Sequence, residues 1–162
     1  MIKLFVSDID GTLTDGTCEY GVNGEISKRF SHKDGRGFYL LKEKTNIKTA
    51  WVTTEIRGIN KARADKLIKL GTLNYFADGA WNKGKIEKVN DICKELNTSI
   101  NEVAFIGDDT NDLDLLSIVG LAGCPHDARK EVKGIKNIFI SENNGGYGAV
   151  RDFIDYIIEN KL

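Results

Sequence analysis

The sequence predicts an α/β fold: a Rossmann-like parallel sheet with helices on both faces, plus a β-hairpin after the first strand. Short apolar segments alternate with longer segments of helical periodicity, and strands that alternate with helices in this way form parallel sheets. The strand segments are apolar almost throughout, as expected where both faces of a sheet are buried. Residues 1–162 contain no internal repeat and no linker, so we expect a single domain.

The first predicted strand leads into an acidic loop and then into the hairpin. Residues 2–7 form an apolar run typical of a buried strand, and residues 8–16 follow as a loop rich in aspartate and glycine. The strand-like segments 17–20 and 25–31 flank a Gly-Val-Asn-Gly sequence. This arrangement predicts two antiparallel strands joined by a tight turn.

Strands and helices are then predicted to alternate to the end of the chain. The β-branched and aromatic run 48–53 predicts a strand, and the periodic segment 57–70, followed by Gly71, predicts a helix. The same reasoning predicts further strands at 73–76, 103–106, 121–122 and 137–140, and further helices at 37–44, 83–96, 111–119, 128–132 and 149–159.

Composition narrows the classes of partner. Lys and Arg total 23 and Asp and Glu total 24, so no global charge attracts nucleic acid or an anionic membrane. The first apolar run is too short for a signal peptide, and no segment reaches transmembrane length. The three cysteines are widely separated and form no C-x-x-C motif, which argues against a disulfide framework or a zinc ribbon. We therefore expect a cytoplasmic protein.

Acidic residues follow several of the predicted strands. Asp8 and Asp10 follow the first strand, and Asp108, Asp109 and Asp112 follow the strand at 103–106. The carboxyl ends of parallel strands meet at one edge of a sheet, where ligands bind. Two carboxylates about 5 Å apart repel by roughly 3 kcal/mol at an effective dielectric of about 20. A hard divalent cation such as Mg²⁺ relieves this repulsion.

Such a site is suited to phosphoryl transfer. With a metal bound, one aspartate can attack phosphorus while a second protonates the leaving oxygen. The phosphoryl oxygens then need positive charge and hydrogen-bond donors, which a threonine after a neighbouring strand and a lysine would supply.

The segments that carry this chemistry resemble the four motifs of the haloacid dehalogenase superfamily. They are Asp8-x-Asp10-Gly-Thr-Leu-Thr-Asp, Thr53, a lysine on a helix, and Gly-Asp108-Asp109-x-Asn-Asp112. The resemblance implies that Asp8 is the nucleophile and that Asp10 is the general acid/base. It also implies that Thr53 donates a hydrogen bond to the phosphoryl group.

The same resemblance implies a Mg²⁺ site. Its ligands would be Asp8, Asp108 and the backbone carbonyl of Asp10, and the metal shell would be supported by Asp109 and Asp112.

For the lysine, the resemblance favours Lys85. It lies 22 residues before Gly107, the spacing found in similar proteins of the superfamily, and is therefore preferred to Lys83 and Lys88. Its expected role is to neutralise charge between Asp8 and the bound phosphate.

The resemblance covers the whole chain and extends to one group of the superfamily. The gaps between motifs leave no room for a cap domain. The hairpin, the Lys-Asp-Gly-Arg-Gly turn at 33–37 and the Gly-Gly-Tyr-Gly segment at 145–148 resemble the capless sugar-acid phosphatases. That group acts on 3-deoxy-octulosonate (KDO) 8-phosphate or on the 9-phosphates of the nonulosonates KDN and N-acetylneuraminate. The resemblance implies a small anionic sugar-phosphate substrate and a homotetramer.

Between these substrates, three residues favour a nonulosonate 9-phosphate, with KDO 8-phosphate as the alternative. Glu55, Arg63 and Lys66 resemble that branch by position, although Thr54 replaces the glycine usual in both branches. We also expect Arg63 on an inward-facing stripe of α-helical periodicity, where a guanidinium would bind a carboxylate or orient Glu55. The expected stripe consists of Ile56, Ile59, Leu67 and Leu70. A structural ion pair or a partly exposed arginine remains an alternative.

Three other functions are compatible with parts of the pattern. A phospho-accepting receiver domain also combines acids, a threonine and a lysine, but its acceptor follows a middle strand. A catalytically silent oligomerisation domain, of the kind attached to some cytidylyltransferases, tends to lose motif residues that this chain retains. A phosphomutase or a broad-specificity phosphatase is the third, and the lack of a cap argues against the mutase.

Overall fold

The fold is a parallel α/β sheet with a separate hairpin, as the sequence predicts. The computed structural model describes residues 1–56, 58–81 and 84–162. Six parallel strands form the main sheet in the order β5-β4-β1-β6-β7-β8, and β2 and β3 form an antiparallel pair. In chain order the strands are β1 (Leu4–Ser7), β2 (Glu19–Gly21), β3 (Gly24–Ser27), β4 (Lys48–Val52), β5 (Tyr75–Ala77), β6 (Val103–Ile106), β7 (Leu121–Cys124) and β8 (Phe139–Ile140).

Helices cover both faces of the sheet. They are α1 (His32–Lys44), α2 (Gly58–Lys69), α3 (Gly84–Glu95), α4 (Leu113–Leu116), α5 (Lys130–Lys133) and α6 (Ala149–Glu159). Successive side chains of β1 point to opposite faces, so that Phe5 packs with α1, α2 and α6, whereas Leu4 and Val6 pack with α3, α4 and α5. The two buried clusters are therefore separated by one fully covered sheet.

Helix α1 begins five residues earlier than predicted. Ser31 caps it by accepting a hydrogen bond from the Lys33 backbone N–H at 3.1 Å. The glycines at 35 and 37 suggested a turn, but Gly37 serves packing. A methyl group there would lie 3.1 Å from Ile154 and 3.2 Å from the Arg151 side chain, so this glycine lets α1 and α6 approach closely.

The predicted inward stripe of α2 is only partly confirmed: of its four apolar residues, Leu67 is buried and Ile59 is half-buried. Ile56 and Leu70 are exposed, and the buried face consists of Asn60, Ala64 and Leu67. The helix is thus rotated relative to the prediction, and its most buried polar residue, Asn60, faces the loop after β1. Predicted helix positions 57 and 83 lie outside the described residues.

The remaining differences concern short elements. The predicted helix 111–119 is a 3-10 turn at Thr110–Asp112 followed by α4, which ends at Leu116. The last strand is reduced to Phe139–Ile140. The described residues include no helix with the length and apolar character needed to cross a bilayer.

Candidate active site

Three loops meet at the carboxyl edge of the sheet because β4, β1 and β6 are neighbours in it. The loop after β1 begins with Asp8, the loop after β4 begins with Thr53, and the loop after β6 contains Asp108. This is the edge at which parallel sheets bind ligands, and the predicted motif residues are brought to it from distant parts of the chain.

A cluster of three carboxylates lies at the centre of this edge. One carboxylate oxygen each from Asp8, Asp108 and Asp112 lies within 4.8 Å of the others. Asp8 is 5% exposed and Asp112 is fully buried. Oxygen donors of this kind suit a hard divalent cation, so the donor set fits the predicted metal.

Lys85 reaches this cluster from α3. Its ammonium donates to Asp8 Oδ1 and to Asp112 Oδ1, both at 2.6 Å, and its side chain is 2% exposed. Of the three lysines considered from the sequence, Lys88 is exposed and Lys83 lies outside the described residues. The geometry therefore favours Lys85 as the lysine that neutralises charge beside Asp8.

Burial raises the pKa values of two of the acids well above their ordinary range. Desolvation raises the pKa of Asp8 to about 7, because the opposing charge of Lys85 only partly compensates and Asp112 adds repulsion. Desolvation also raises the pKa of Asp108 to about 8, with further repulsion from Asp8 and Asp112. Burial alone would lower the pKa of Lys85, but its two carboxylate partners outweigh burial and raise it. A bound cation would favour the ionised carboxylates.

The position of Asp108 depends on the loop after β1. Thr12 Oγ1 donates to Asp108 Oδ1 at 2.9 Å. Gly11 has φ +92°, and a methyl group on it would overlap the Asp108 carboxylate. A glycine is therefore required here on two grounds: the backbone conformation and the close approach of a candidate metal ligand.

The structure places the two acids that were expected to support the metal shell, Asp109 and Asp112, in different surroundings. Asp112 belongs to the carboxylate cluster itself, and its Oδ2 also accepts from the backbone N–H groups of Asp108 and Asp109. Asp109 is exposed, and its side chain caps the following 3-10 turn by accepting from Thr110 N at 2.6 Å. The carboxylate of Asp109 therefore lies outside the cluster because it is engaged in a local cap.

The Asp10 side chain also lies outside the cluster. Lys28 Nζ donates to Asp10 Oδ1 at 2.6 Å, and Asn60 Nδ2 lies 3.4 Å from Oδ2. This placement is compatible with the predicted metal contact through the backbone carbonyl. It leaves the carboxyl group available for proton exchange.

A cleft of about 290 Å³ opens beside these residues. It is lined by Asp8, Asp10, Thr53, Thr54, Glu55, Asp109, Thr110 and Asn111. Thr53 is buried, and its hydroxyl oxygen accepts from the Glu55 backbone N–H at 3.1 Å. The hydroxyl proton of Thr53 can therefore point into the cleft as a donor.

The structure does not bring Arg63 and Lys66 to this cleft. Arg63 lies with its guanidinium 6.0 Å from the centre of the Phe30 ring, and burial lowers its pKa. Its Nε is buried and has no hydrogen-bond partner among the described residues. Lys66 is exposed on the outer side of α2. Of the three residues expected to bind substrate, only Glu55 lines the cleft within this chain.

Comparison with known proteins identifies the family. A model of haloacid dehalogenase-like hydrolases matches residues 76–154. The chain is 34% identical to the KDO 8-phosphate phosphatase of Haemophilus influenzae over 98% of its own length and 83% of the relative's. The chain belongs to the haloacid dehalogenase superfamily.

Solved structures place the chain within the superfamily. A KDO 8-phosphate phosphatase from Moraxella catarrhalis, in complex with magnesium, phosphate and KDO, superposes with a TM-score of 0.87 at 28% identity, covering 98% of this chain and 86% of that one. The cobalt-bound enzyme from Haemophilus influenzae gives 0.87 at 31% identity, covering 98% and 88%. The predicted phosphatase class and the capless sugar-acid phosphatase group are confirmed, and the receiver-domain alternative is wrong.

A further relative is named for an activity other than phosphatase. N-acylneuraminate cytidylyltransferase B from Danio rerio is 27% identical over 99% of this chain, but the chain spans only 37% of that protein. The similarity is thus confined to one part of a longer protein.

Three residues around the superfamily motifs were not found from the sequence. Thr12 lies inside the first motif, so its contact with Asp108 could have been anticipated from spacing. Lys28 directly follows β3 and Asn60 lies in α2, both outside the motifs. Only the packing of these elements against the loop after β1 brings them to Asp10.

Proposed function

We propose that this chain is a Mg²⁺-dependent phosphatase that hydrolyses a sugar-acid phosphate, with KDO 8-phosphate as the first candidate substrate. The observation that carries the proposal is the buried set formed by Asp8, Lys85, Asp108 and Asp112 beside an open cleft. Such a set provides a nucleophile, a fixed positive charge and oxygen donors for a cation in one place.

The choice of substrate follows the relatives. Those named KDO 8-phosphate phosphatase include the Haemophilus influenzae and Escherichia coli proteins, which are 34% and 30% identical to the chain. The chain covers 83% and 79% of their lengths. This similarity favours KDO 8-phosphate over the nonulosonate 9-phosphates that Glu55, Arg63 and Lys66 suggested, and it reverses the order expected from the sequence.

A nonulosonate 9-phosphate is the second candidate. Glu55 lines the cleft next to Thr53 and Thr54, where a carboxylate can accept hydrogen bonds from sugar hydroxyls or from an amide N–H. The similarity to N-acylneuraminate cytidylyltransferases is a second observation on this side.

In the proposed reaction the residues act in two steps. Asp8 attacks phosphorus, the bond between phosphorus and the ester oxygen breaks, and Asp10 donates a proton to the departing alcohol. Asp10 then removes a proton from water as the water attacks the phospho-aspartate. The second step releases inorganic phosphate and restores the Asp8 carboxylate.

Other groups hold charge in place during both steps. Asp8, Asp108 and the Asp10 carbonyl would hold Mg²⁺, with support from Asp112, and the ion would supply positive charge to the phosphoryl oxygens. Lys85 contributes a fixed ammonium from α3 on the Asp8 side. Thr53 donates its hydroxyl proton to a phosphoryl oxygen. Both steps take place at the mouth of the cleft.

The proposal extends to assembly and compartment. The hairpin exposes Tyr20, Val22 and Ile26, and several exposed apolar side chains on one short element favour contact with other subunits. This supports the expected homotetramer. The three cysteines are free thiols, which supports the expected location in the cytoplasm, a reducing compartment.

The test is phosphate release from KDO 8-phosphate, KDN 9-phosphate and N-acetylneuraminate 9-phosphate, each with Mg²⁺ and with EDTA. We expect turnover with Mg²⁺ only, highest on KDO 8-phosphate. Asp8→Asn should abolish it, and Asp114→Asn, which changes an exposed aspartate in α4, should not. Phosphate release by Asp8→Asn, or no release from any of the three by the unmodified protein, would contradict the proposal. The second outcome would favour the silent oligomerisation domain.

A further inference from the structure

A buried lysine of the hairpin contacts the proposed general acid/base. Lys28 follows β3, its side chain is only 4% exposed, and its ammonium lies 2.6 Å from Asp10 Oδ1. The same ammonium lies 3.2 Å from Glu25 Oε1, whose side chain is 6% exposed. Buried ammonium groups are costly unless they are paired, so this placement requires the two carboxylates.

The two oxygens of Asp10 are held unequally. Oδ1 receives the short contact from Lys28, whereas Oδ2 has only the contact of 3.4 Å with Asn60 Nδ2, which is at the weak limit of a hydrogen bond. Asn60 is fully buried, and its Oδ1 has no hydrogen-bond partner among the described residues. A half-turn of this amide would present an acceptor to a proton on Asp10 Oδ2.

We propose that Lys28 is a positioning residue that fixes Asp10 through Oδ1 and so leaves Oδ2 as the oxygen that carries the transferred proton. This inference rests on the proposed phosphatase function, in which Asp10 protonates the leaving alcohol. It makes the hairpin a part of the catalytic arrangement in the same chain, in addition to any role in assembly.

The dependence of activity on the leaving group distinguishes a positioning role of Lys28 from a role in folding alone. The departing alkoxide of a sugar-acid phosphate needs the Asp10 proton, whereas p-nitrophenolate is stable enough to leave without it. The ratio kcat/KM includes the steps up to departure of the leaving group. We expect Lys28→Met to lower kcat/KM about 10- to 100-fold on the sugar-acid phosphate and less than about threefold on p-nitrophenyl phosphate, because a positioned general acid contributes about 100-fold or more.

Three further variants control for a loss of fold and for a general effect of removing positive charge. Lys28→Met leaves Glu25 buried without its partner, so the double variant Lys28→Met/Glu25→Gln should retain the stability of the unmodified protein and show the same selective loss. Lys28→Arg, which keeps a donor, should recover part of the activity on the sugar-acid phosphate. Arg29→Met removes the neighbouring positive charge, which is on a side chain 79% exposed, and should leave kcat/KM unchanged on both substrates.

The outcomes separate this inference from the function on which it rests. Equal losses on both substrates in the double variant would overturn the positioning role and leave a structural one. A loss on the sugar-acid phosphate that spares glycerol 3-phosphate, an alkyl phosphate without a carboxylate, would assign Lys28 to substrate binding and also overturn the inference. Failure of the unmodified protein to hydrolyse any sugar-acid phosphate would refute the proposed function itself.

Discussion

At the scale of single residues, the carboxylate cluster is unfavourable in the absence of a cation. The folded pKa values of Asp8 and Asp108, about 7 and about 8, lie well above their ordinary value of 3.8. Burial also raises the pKa of Asp34 to about 6. Each group keeps its proton in the folded protein at a pH where the unfolded chain has lost it. The free energy of unfolding must therefore fall as pH rises through this window.

This sign gives a prediction for stability. Without metal, the melting temperature should decrease as the pH is raised from about 5 to about 8. Mg²⁺ should increase the melting temperature more at the higher pH, because fewer protons then compete with the ion for the carboxylates. Thermal melts in EDTA and in Mg²⁺ across this range measure both effects. Asp108→Asn removes a candidate ligand and a titrating group, so it should flatten the pH dependence and reduce the Mg²⁺ effect. A Mg²⁺ stabilisation independent of pH in the unmodified protein would contradict this account.

The positions of single residues also show which parts of the site could be predicted from the sequence. Asp8, Thr53, Lys85 and Asp108 were placed from motif spacing, and all four lie at one edge of the sheet. Arg63 was not, because the buried face of α2 consists of Asn60, Ala64 and Leu67 and is displaced from the predicted stripe. A buried polar residue, Asn60, defines the real face of α2, and no hydrophobic pattern can indicate that.

At the scale of elements, the segment before α6 packs against the loop after β1. The Gly146 backbone N–H donates to the Thr12 carbonyl at 3.0 Å. A methyl group on Gly145 would overlap the Gly11 carbonyl oxygen, and one on Gly11 would overlap the Asp108 carboxylate. Two glycines thus connect the segment before α6 to a candidate metal ligand.

The packing of Gly145 on Gly11, and of Gly11 on Asp108, predicts that Gly145→Ala weakens metal binding. The added methyl should displace Gly11 and, through it, Asp108, and so raise the Mg²⁺ concentration for half-maximal activity by about 10-fold, the size of effect seen when outer support of metal ligands is lost. A Mg²⁺ titration of activity measures it. Gly134→Ala is the matched control, because that glycine has φ −78° and room for a methyl group. Equal Mg²⁺ requirements in both variants would show that the packing of Gly145 on Gly11 does not affect the metal site.

Element boundaries were predictable only where local chemistry decides them. The strand at Val103–Ile106 and the helix at Ala149–Glu159 were predicted to the residue, because apolar runs and flanking glycines define them. The start of α1 was not, since glycines that serve helix packing resemble turn residues in a sequence.

At the scale of the whole molecule, the hairpin forms a sheet of its own and exposes apolar side chains. If it mediates assembly, Ile26→Glu, at a residue 63% exposed, should convert a tetramer into smaller species because a buried, unpaired carboxylate is costly at an interface. Light scattering coupled to size-exclusion chromatography measures the mass. Leu70→Glu, at a residue 59% exposed beyond the end of α2, is the control. A tetramer unaffected by Ile26→Glu would place the interface elsewhere, and a monomeric unmodified protein would refute the assembly.

The architecture as a whole was more accessible from sequence than the substrate. Alternating strands and helices dictate the parallel sheet, and the sheet dictates where the acids meet. Selection of a sugar acid depends on the surroundings of the cleft, where Arg63 and Lys66 did not take the places expected of them.

The most direct measurement is chemical trapping of the phosphorylated enzyme. Sodium borohydride reduces an acyl phosphate to an alcohol, so enzyme quenched during turnover of KDO 8-phosphate with Mg²⁺ should yield homoserine at position 8 in a peptide map. The Asp8→Asn variant should yield none. Phosphate release without any reduced residue, or homoserine at another aspartate, would contradict the assignment of Asp8 as the nucleophile.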